Sequence, residues 1–237
     1  IVTSTAKPCA GQRPLGLGVI VGNLHYIQRH TISQCWYSAA FCTSFLILVH
    51  HHVHTERNCS GGVAMALTPY PCAQVQECDV ENLPGIANFV TVAYARSHFA
   101  VLLYDVPSRN VLVYDGLNMD LTSWKDHVIH TLKKYGLQRW DETPEVKITR
   151  GSWGKGDELM EVCYLDFKEP WHVVNDPILM QSDGFNCGPI ACLKVMKIYG
   201  IIPMNSIAQI AHQDFGYRGA VMNYYQEFLL PQDKTLY

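Results

Sequence analysis

Gln181-Ser182-Asp183-Gly184-Phe185-Asn186-Cys187-Gly188-Pro189-Ile190-Ala191-Cys192-Leu193-Lys194-Val195-Met196-Lys197-Ile198-Tyr199-Gly200 reads as a loop that runs into a buried helix. Asp183-Gly184 and Asn186 are turn formers. Pro189 suits a first helical turn, where its missing N–H would be unpaired anyway, and Gly200 suits the C-terminal cap. The pattern predicts a helix starting at Cys187 and apolar on nearly every side, which makes it a core helix. A cysteine at that end lies beside unpaired N–H groups and the positive end of the helix dipole, an arrangement that favours the thiolate, the nucleophilic form. Any one of nine cysteines is most simply read as a buried thiol. What singles out Cys187 is Gln181, six positions upstream, whose amide can donate toward an oxyanion beside the nucleophile, with the Cys187 backbone N–H as second donor. Gly188 keeps the approach open for a substrate carbonyl.

A nucleophilic cysteine needs a base and a group to orient that base. Ser97–Tyr104 is a strand by its aromatic and β-branched content, Asp105–Asn110 is a turn, and Val111–Asp115 is a second strand. Antiparallel pairing brings His98 and Asp115 to the open end of this hairpin, about 5 Å apart at Cβ if directly opposed. Asp105 falls at the turn, too far away to serve. His172 is an alternative base by closeness in sequence, but it lies inside a predicted strand and lacks a paired acid.

His98-Phe99, Tyr114-Asp115-Gly116-Leu117 and Gln181-Ser-Asp-Gly-Phe-Asn-Cys187-Gly188, in that order, closely resemble the catalytic motifs of the Ulp/SENP cysteine proteases, the ubiquitin-like-protein-specific peptidases of the adenain/papain-like clan. The resemblance covers roughly residues 30 to 230. It implies Cys187 as nucleophile, His98 as base, Asp115 as orienter and Gln181 as oxyanion donor. Two positions depart from the family pattern, which usually has Trp after the histidine and Asp before the cysteine; here they are Phe99 and Asn186. The family's N-terminal Trp-Leu-x-Asp pattern has as its nearest counterpart Trp36-Tyr37-Ser38-Ala39, without the acid. Phe99 and Trp36 are the expected aromatic walls of a narrow cleft that admits a Gly-Gly tail.

The order of elements predicts an α+β fold with a mixed, mostly antiparallel sheet packed between helices, and the resemblance implies the papain-like cysteine protease fold of the Ulp type. At 237 residues, 48% hydrophobic and 16% charged, the chain suits one catalytic domain over residues 1–237, with an irregular leader at 1–22. A formal charge of −3 gives no reason to propose nucleic acid as a partner. The nine cysteines have no framework spacing and are odd in number, which favours a reducing compartment, and so an intracellular place in nucleus or cytoplasm. The opening at Ile1 reads as an excised domain. No cofactor or metal and no membrane is expected, and the protein is expected to be a monomer.

Several other stretches compete for attention. Thr31–Val49 carries no formal charge and reads as a mostly helical apolar segment; its Ser, Thr and Gln content favours a core helix over a membrane span. Within it, Gln34-Cys35-Trp36 looks like the nucleophile start of papain-type proteases, but position 29 is Arg where such an enzyme wants an oxyanion Gln. His50-His51-His52 and His54, with Cys59, Cys72 and Cys78, invite a metal reading; the spacing lacks the tight pairs of structural zinc sites, so a polar helix end or loop is expected. Residues 55 to 88 look like loops with a short helix or strand. A strand is predicted at Phe89–Tyr94, a helix after Leu121-Thr122-Ser123 that Gly136 ends, a loop over Pro144–Gly156, strands at Met160–Phe167 and Trp171–Val174, and helices at Ser206–His212 and Tyr217–Leu229.

The resemblance implies a thiol peptidase or isopeptidase that cleaves after the C-terminal Gly-Gly of a ubiquitin-like modifier of the SUMO type, in deconjugation or precursor maturation. The modifier and its conjugates are the expected partners. An acetyltransferase of the YopJ type, which resembles this clan in its His, acid and Cys order, is the rival enzyme class. A non-catalytic modifier-binding domain is a third reading.

Overall fold

The computed structural model describes residues 14–15, 36–37, 39–55, 65–67, 88–139, 141–152, 159–175, 181, 183–202 and 216–229. Expectations for Cys35, for Cys59, Cys72 and Cys78, for 1–13 and for the helix at 206–212 lie outside these residues. The chain divides into two compact units, one from residues 63–180 and one from 1–62 together with 181–237.

The 63–180 unit is built on alternation. Strands β4 (Asn88–Ala95), β5 (His98–Asp105) and β6 (Asn110–Asp115) form consecutive antiparallel hairpins. β5 turns Ala100, Leu102 and Tyr104 to one face, and β6 adds Val111 and Val113 to that same apolar cluster. Onto the cluster packs helix α2 (Thr122–Lys134), whose fully buried Trp124, Val128 and Leu132 recur at a spacing of four. Burying each of these side chains contributes about 1.5–3 kcal/mol. Phe89 of β4 stacks on Tyr104 with centroids 4.3 Å apart.

Gly136, at φ 69°, ends α2 as expected. Its N–H bonds the Lys133 carbonyl while that of Leu137 bonds the Leu132 carbonyl at 2.8 Å. This pair of bonds is a Schellman cap, and it requires the left-handed residue glycine supplies.

Seven strands make the sheet, with β3 (Met65–Leu67) before β4, and β9 (Trp171–Asn175), β8 (Leu159–Asp166) and β7 (Glu145–Ser152) after β6, in the order β3-β4-β5-β6-β9-β8-β7. The β3–β4 and β6–β9 pairs are parallel and the other four antiparallel. The α+β class with a mixed, mostly antiparallel sheet is therefore as the sequence predicts. Residues 145–152 are a correction, since the sequence reading made them part of a loop. Among the described residues, β7 is an edge strand paired only with β8. With Lys147 and Arg150 on it, and Ile148 left exposed, it lacks the buried face that marks a strand in sequence.

In the other unit, helix α1 (Ala39–Thr55) packs on helix α3 (Cys187–Ile198). The apolar helix predicted over 31–49 thus begins later and runs further. Trp36-Tyr37 forms strand β2, paired in parallel with β1 (Pro14–Leu15), in place of a helical turn. His50 and His52 are core-facing residues of α1: His50 Nδ1 lies 2.7 Å from the Tyr199 hydroxyl, and the His52 ring packs on Tyr224 and Phe228. Among the described residues no group of three His, Cys, Asp or Glu side chains could hold a metal ion, and no helix is long and apolar enough to cross a membrane.

Every residue of α3 from Cys187 to Lys197 is buried, as its all-round apolar sequence predicts. Gly200, at φ 68°, closes it with the same cap as α2: Ile201 N–H bonds Met196 O, and Gly200 N–H bonds Lys197 O. Helix α4 (Gly216–Tyr224) also packs on α3 and continues into a π-helical turn at Tyr225–Leu229.

Candidate active site

His98 and Asp115 meet, but not as directly opposed residues. Asp115 pairs in register with Ala100, while His98 pairs with Ala95 of β4. His98 and Ala100 are two apart on one strand and share a face, so His98 is the diagonal neighbour of Asp115. The small Ala100 side chain leaves room for the imidazole to lean across. His98 Nε2 lies 2.6 Å from Asp115 Oδ1, with both residues buried.

Asp115 is held from several sides. Oδ1 also accepts the Leu117 N–H at 2.8 Å, and Oδ2 accepts the Met119 N–H at 3.0 Å and the Trp124 indole N–H at 2.9 Å. After β6 the chain therefore curls around its own carboxylate, with Asn118 in a left-handed conformation at φ 50°. Burial pushes the Asp115 carboxyl up, but the His98 and Leu117 hydrogen bonds, the His98 charge and the Trp124 indole outweigh it and hold it below its ordinary value. An ionised carboxylate only accepts, so Nε2 is the donor and carries the proton in the neutral ring. Trp124 is a site residue that sequence reading missed.

His172 lies at the other end of β6. It pairs with Asn110 in register, and its Nδ1 is 3.3 Å from Asn110 Oδ1. Five residues of strand, roughly 16 Å, separate that position from Asp115. Asp105 accepts the Ser108 N–H at the turn, as expected. Phe99 points to the sheet face opposite His98 and packs on Tyr94 with centroids 4.7 Å apart.

Cys187 begins α3 and is 6% exposed. The loop before it is organised by Asp183, whose Oδ1 accepts the backbone N–H groups of Phe185 at 2.9 Å and Asn186 at 2.7 Å, and whose Oδ2 accepts Asn186 Nδ2 at 2.8 Å. Asn186 is the N-cap residue, yet its side chain caps no helical N–H. Its Oδ1 accepts from Arg218 Nε at 3.2 Å, and Arg218 Nη2 donates to the Phe185 carbonyl at 3.1 Å. The Arg218 guanidinium lies over the rings of Tyr37 and Phe185, 5.4 and 5.8 Å from their centroids. Asp183 is visible in sequence as a turn former; Arg218, 32 residues beyond Asn186, carries no local signal.

Gln181 and Gly188 each have a structural role beyond the one expected. The Gln181 amide N–H groups are directed at the Asp183 carbonyl and, at 3.4 Å, its carboxylate, so in this structure Gln181 braces the loop. Its Oε1 is buried without a hydrogen-bond partner among the described residues. A Cβ on Gly188 would lie 2.6 Å from Tyr37 Cβ. The glycine is thus required for close packing of α3 on β2. Trp36 is placed in β2.

The other described cysteines, Cys42, Cys163 and Cys192, are buried free thiols. Burial and then the neighbouring Cys192 push the Cys42 thiol up, and burial pushes Cys163 up to about 11. Raised thiols of this kind are inert.

No family profile and no curated protein matches this chain. Its fold is similar to solved structures of cysteine proteases. One is "SUMO protease Ulp1 with the catalytic cysteine oxidized to a sulfenic acid", with a TM-score of 0.50 and 10% identity over 83% of this chain and 80% of that one. Another is the C-terminal Ulp1 protease domain in complex with Smt3, the yeast ortholog of SUMO, with a TM-score of 0.48 and 12% identity over 83% and 79%. The fold is Ulp-like, a cysteine-protease-type fold.

Proposed function

We propose that this chain is a cysteine peptidase that cleaves after the C-terminal Gly-Gly of a ubiquitin-like modifier of the SUMO type, and that the two units make one catalytic domain. Cys187 attacks the scissile carbonyl carbon through its sulfur. His98 takes the thiol proton and returns it to the leaving amine. A water that gives its proton to His98 then attacks the thioester carbon and releases Cys187. Asp115 fixes the imidazole with Nε2 protonated, which makes Nδ1 the nitrogen that exchanges protons. Gln181 and the Cys187 N–H stabilise the oxyanion, and Trp36 walls the modifier tail. The protein acts as a monomer inside the cell, in nucleus or cytoplasm, without a cofactor.

The observation that carries this reading is the buried His98–Asp115 pair at 2.6 Å. A binding module has no use for an imidazole whose orienting carboxylate is itself held by three further donors. The test is covalent capture by a SUMO-type modifier bearing a C-terminal vinyl sulfone. The wild type should form an adduct at Cys187 and cleave a modifier precursor, and Cys187→Ala should do neither while keeping its fold. Labelling at Cys35 would move the nucleophile there, and acetyl-CoA labelling Cys187 where the modifier electrophile does not would establish the acetyltransferase reading.

A further inference from the structure

We propose that Arg218 is a positioning residue for the nucleophile loop, acting through Asn186 and the Phe185 carbonyl against Asp183 on the far side. The Phe185 carbonyl and the Asn186 N–H belong to one peptide unit. Arg218 Nη2 holds its oxygen at 3.1 Å, and Asp183 Oδ1 holds its nitrogen at 2.7 Å. That plane is therefore fixed from both edges. Asn186 then spans the two charged groups, its Nδ2 donating to Asp183 Oδ2 and its Oδ1 accepting from Arg218 Nε.

The next peptide unit is the one that matters. Its carbonyl, Asn186 O, accepts the Ile190 N–H at 2.9 Å as the first bond of α3, and its N–H is that of Cys187. Fixing the plane before it and the Asn186 dihedrals, φ −93° and ψ 8°, sets the direction of the Cys187 N–H and the placing of its Sγ. Arg218 is 5% exposed, and its guanidinium fork engages two acceptors at once while two rings flank it, which an ammonium cannot reproduce.

Asn186 is needed as an amide, because a carboxylate there would face Asp183. Exchanging the two side chains, however, should restore the loop. In Asp183→Asn/Asn186→Asp, the amide oxygen at position 183 would still accept the two backbone N–H groups, and its N–H would donate to the carboxylate at position 186, which would face Arg218. This makes the proposal testable without relying on Arg218→Met alone, which removes a buried group.

The proposal rests on the peptidase reading for its kinetic consequence, but not for its structural one. Two measurements on the full chain keep these apart. Hydrogen exchange of the 181–188 segment should quicken about tenfold or more in Arg218→Met and in Asn186→Asp, the scale of a lost charge-assisted bond. It should return close to wild type in Asp183→Asn/Asn186→Asp. Turnover of a modifier precursor should follow the same order, with kcat down about tenfold to a hundredfold and KM within about twofold, and Arg218→Lys should not rescue it. If Asn186→Asp matches wild type in both, or if the exchanged pair is no better than Asn186→Asp, the clamp is refuted. If no variant, wild type included, cleaves a modifier while exchange responds as stated, the clamp stands and the peptidase reading falls.

Discussion

At the scale of single residues, Gln181 has two claims on it. Its amide braces Asp183 in this structure, and the proposed chemistry asks it to donate to an oxyanion that exists only during reaction. The two roles make different predictions. A donor to the tetrahedral oxyanion acts on the transition state, so Gln181→Ala should slow modifier cleavage by about a hundredfold or more, some 3 kcal/mol. Alkylation of Cys187 by iodoacetamide, which forms no oxyanion, should continue near the wild-type rate. If both fall together, Gln181 serves the loop alone. His127 gives a second prediction. Burial, and then the nearby His130 charge, lower its imidazole to about 4 from an ordinary 6.5, so the unfolded chain binds the proton more readily than the folded one. The stability this neutral histidine allows is complete above pH 6.5 and is lost as pH falls toward 4, with a total of about 3 kcal/mol. Urea unfolding measured across that window should show the slope, and His127→Gln should flatten it. A slope that survives the substitution would place its origin in other groups.

At the scale of elements, the turn between β4 and β5 sets where His98 begins. Arg96 and Ser97 both have positive φ, 49° and 62°, as a two-residue type I′ turn requires. Neither is Gly or Asn, so each is strained by an amount of order 1 kcal/mol. Arg96→Asn/Ser97→Gly should raise Tm by about 2–4 °C per kcal/mol relieved; an unchanged or lowered Tm would show that the turn stores no strain. This element also shows what was legible. The β5–β6 hairpin reads from its alternation and turn residues, and the start of α3 from Pro189 and its end from Gly200. The β4–β5 turn does not read, because Arg-Ser carries no turn signature. The diagonal register of His98 and Asp115 depends on the Asp105↔Asn110 pairing that closes the second hairpin, which spacing alone leaves two residues adrift. β7 was hidden by its charged edge, and α1 was misplaced because Trp36 and Tyr37 are as apolar as the helix they precede. Trp124 and Arg218 act on residues far along the chain, and only tertiary structure brings such partners together.

At the scale of the whole molecule, the proposed chemistry draws on both units, Cys187 on the one side and His98 with Asp115 on the other. A substitution in one unit must then change the reactivity of a side chain in the other, and that is measurable without any substrate. A general base beside a thiol raises the share of thiolate, whereas an unassisted thiol is only a few per cent ionised at pH 7. Iodoacetamide alkylation of Cys187 at neutral pH should therefore slow by about tenfold in His98→Ala. In Asp115→Asn it should slow too, though less, because the amide still holds the ring but no longer favours the tautomer with Nε2 protonated. The double variant should be no slower than His98→Ala, since the two act as one unit and their losses do not multiply. His172→Ala, at the far end of β6, should alkylate like the wild type. If His172→Ala slows the reaction and His98→Ala does not, the base is misassigned. If neither does, Cys187 works without a histidine from the sheet, and the catalytic reading of the His98–Asp115 pair must be given up.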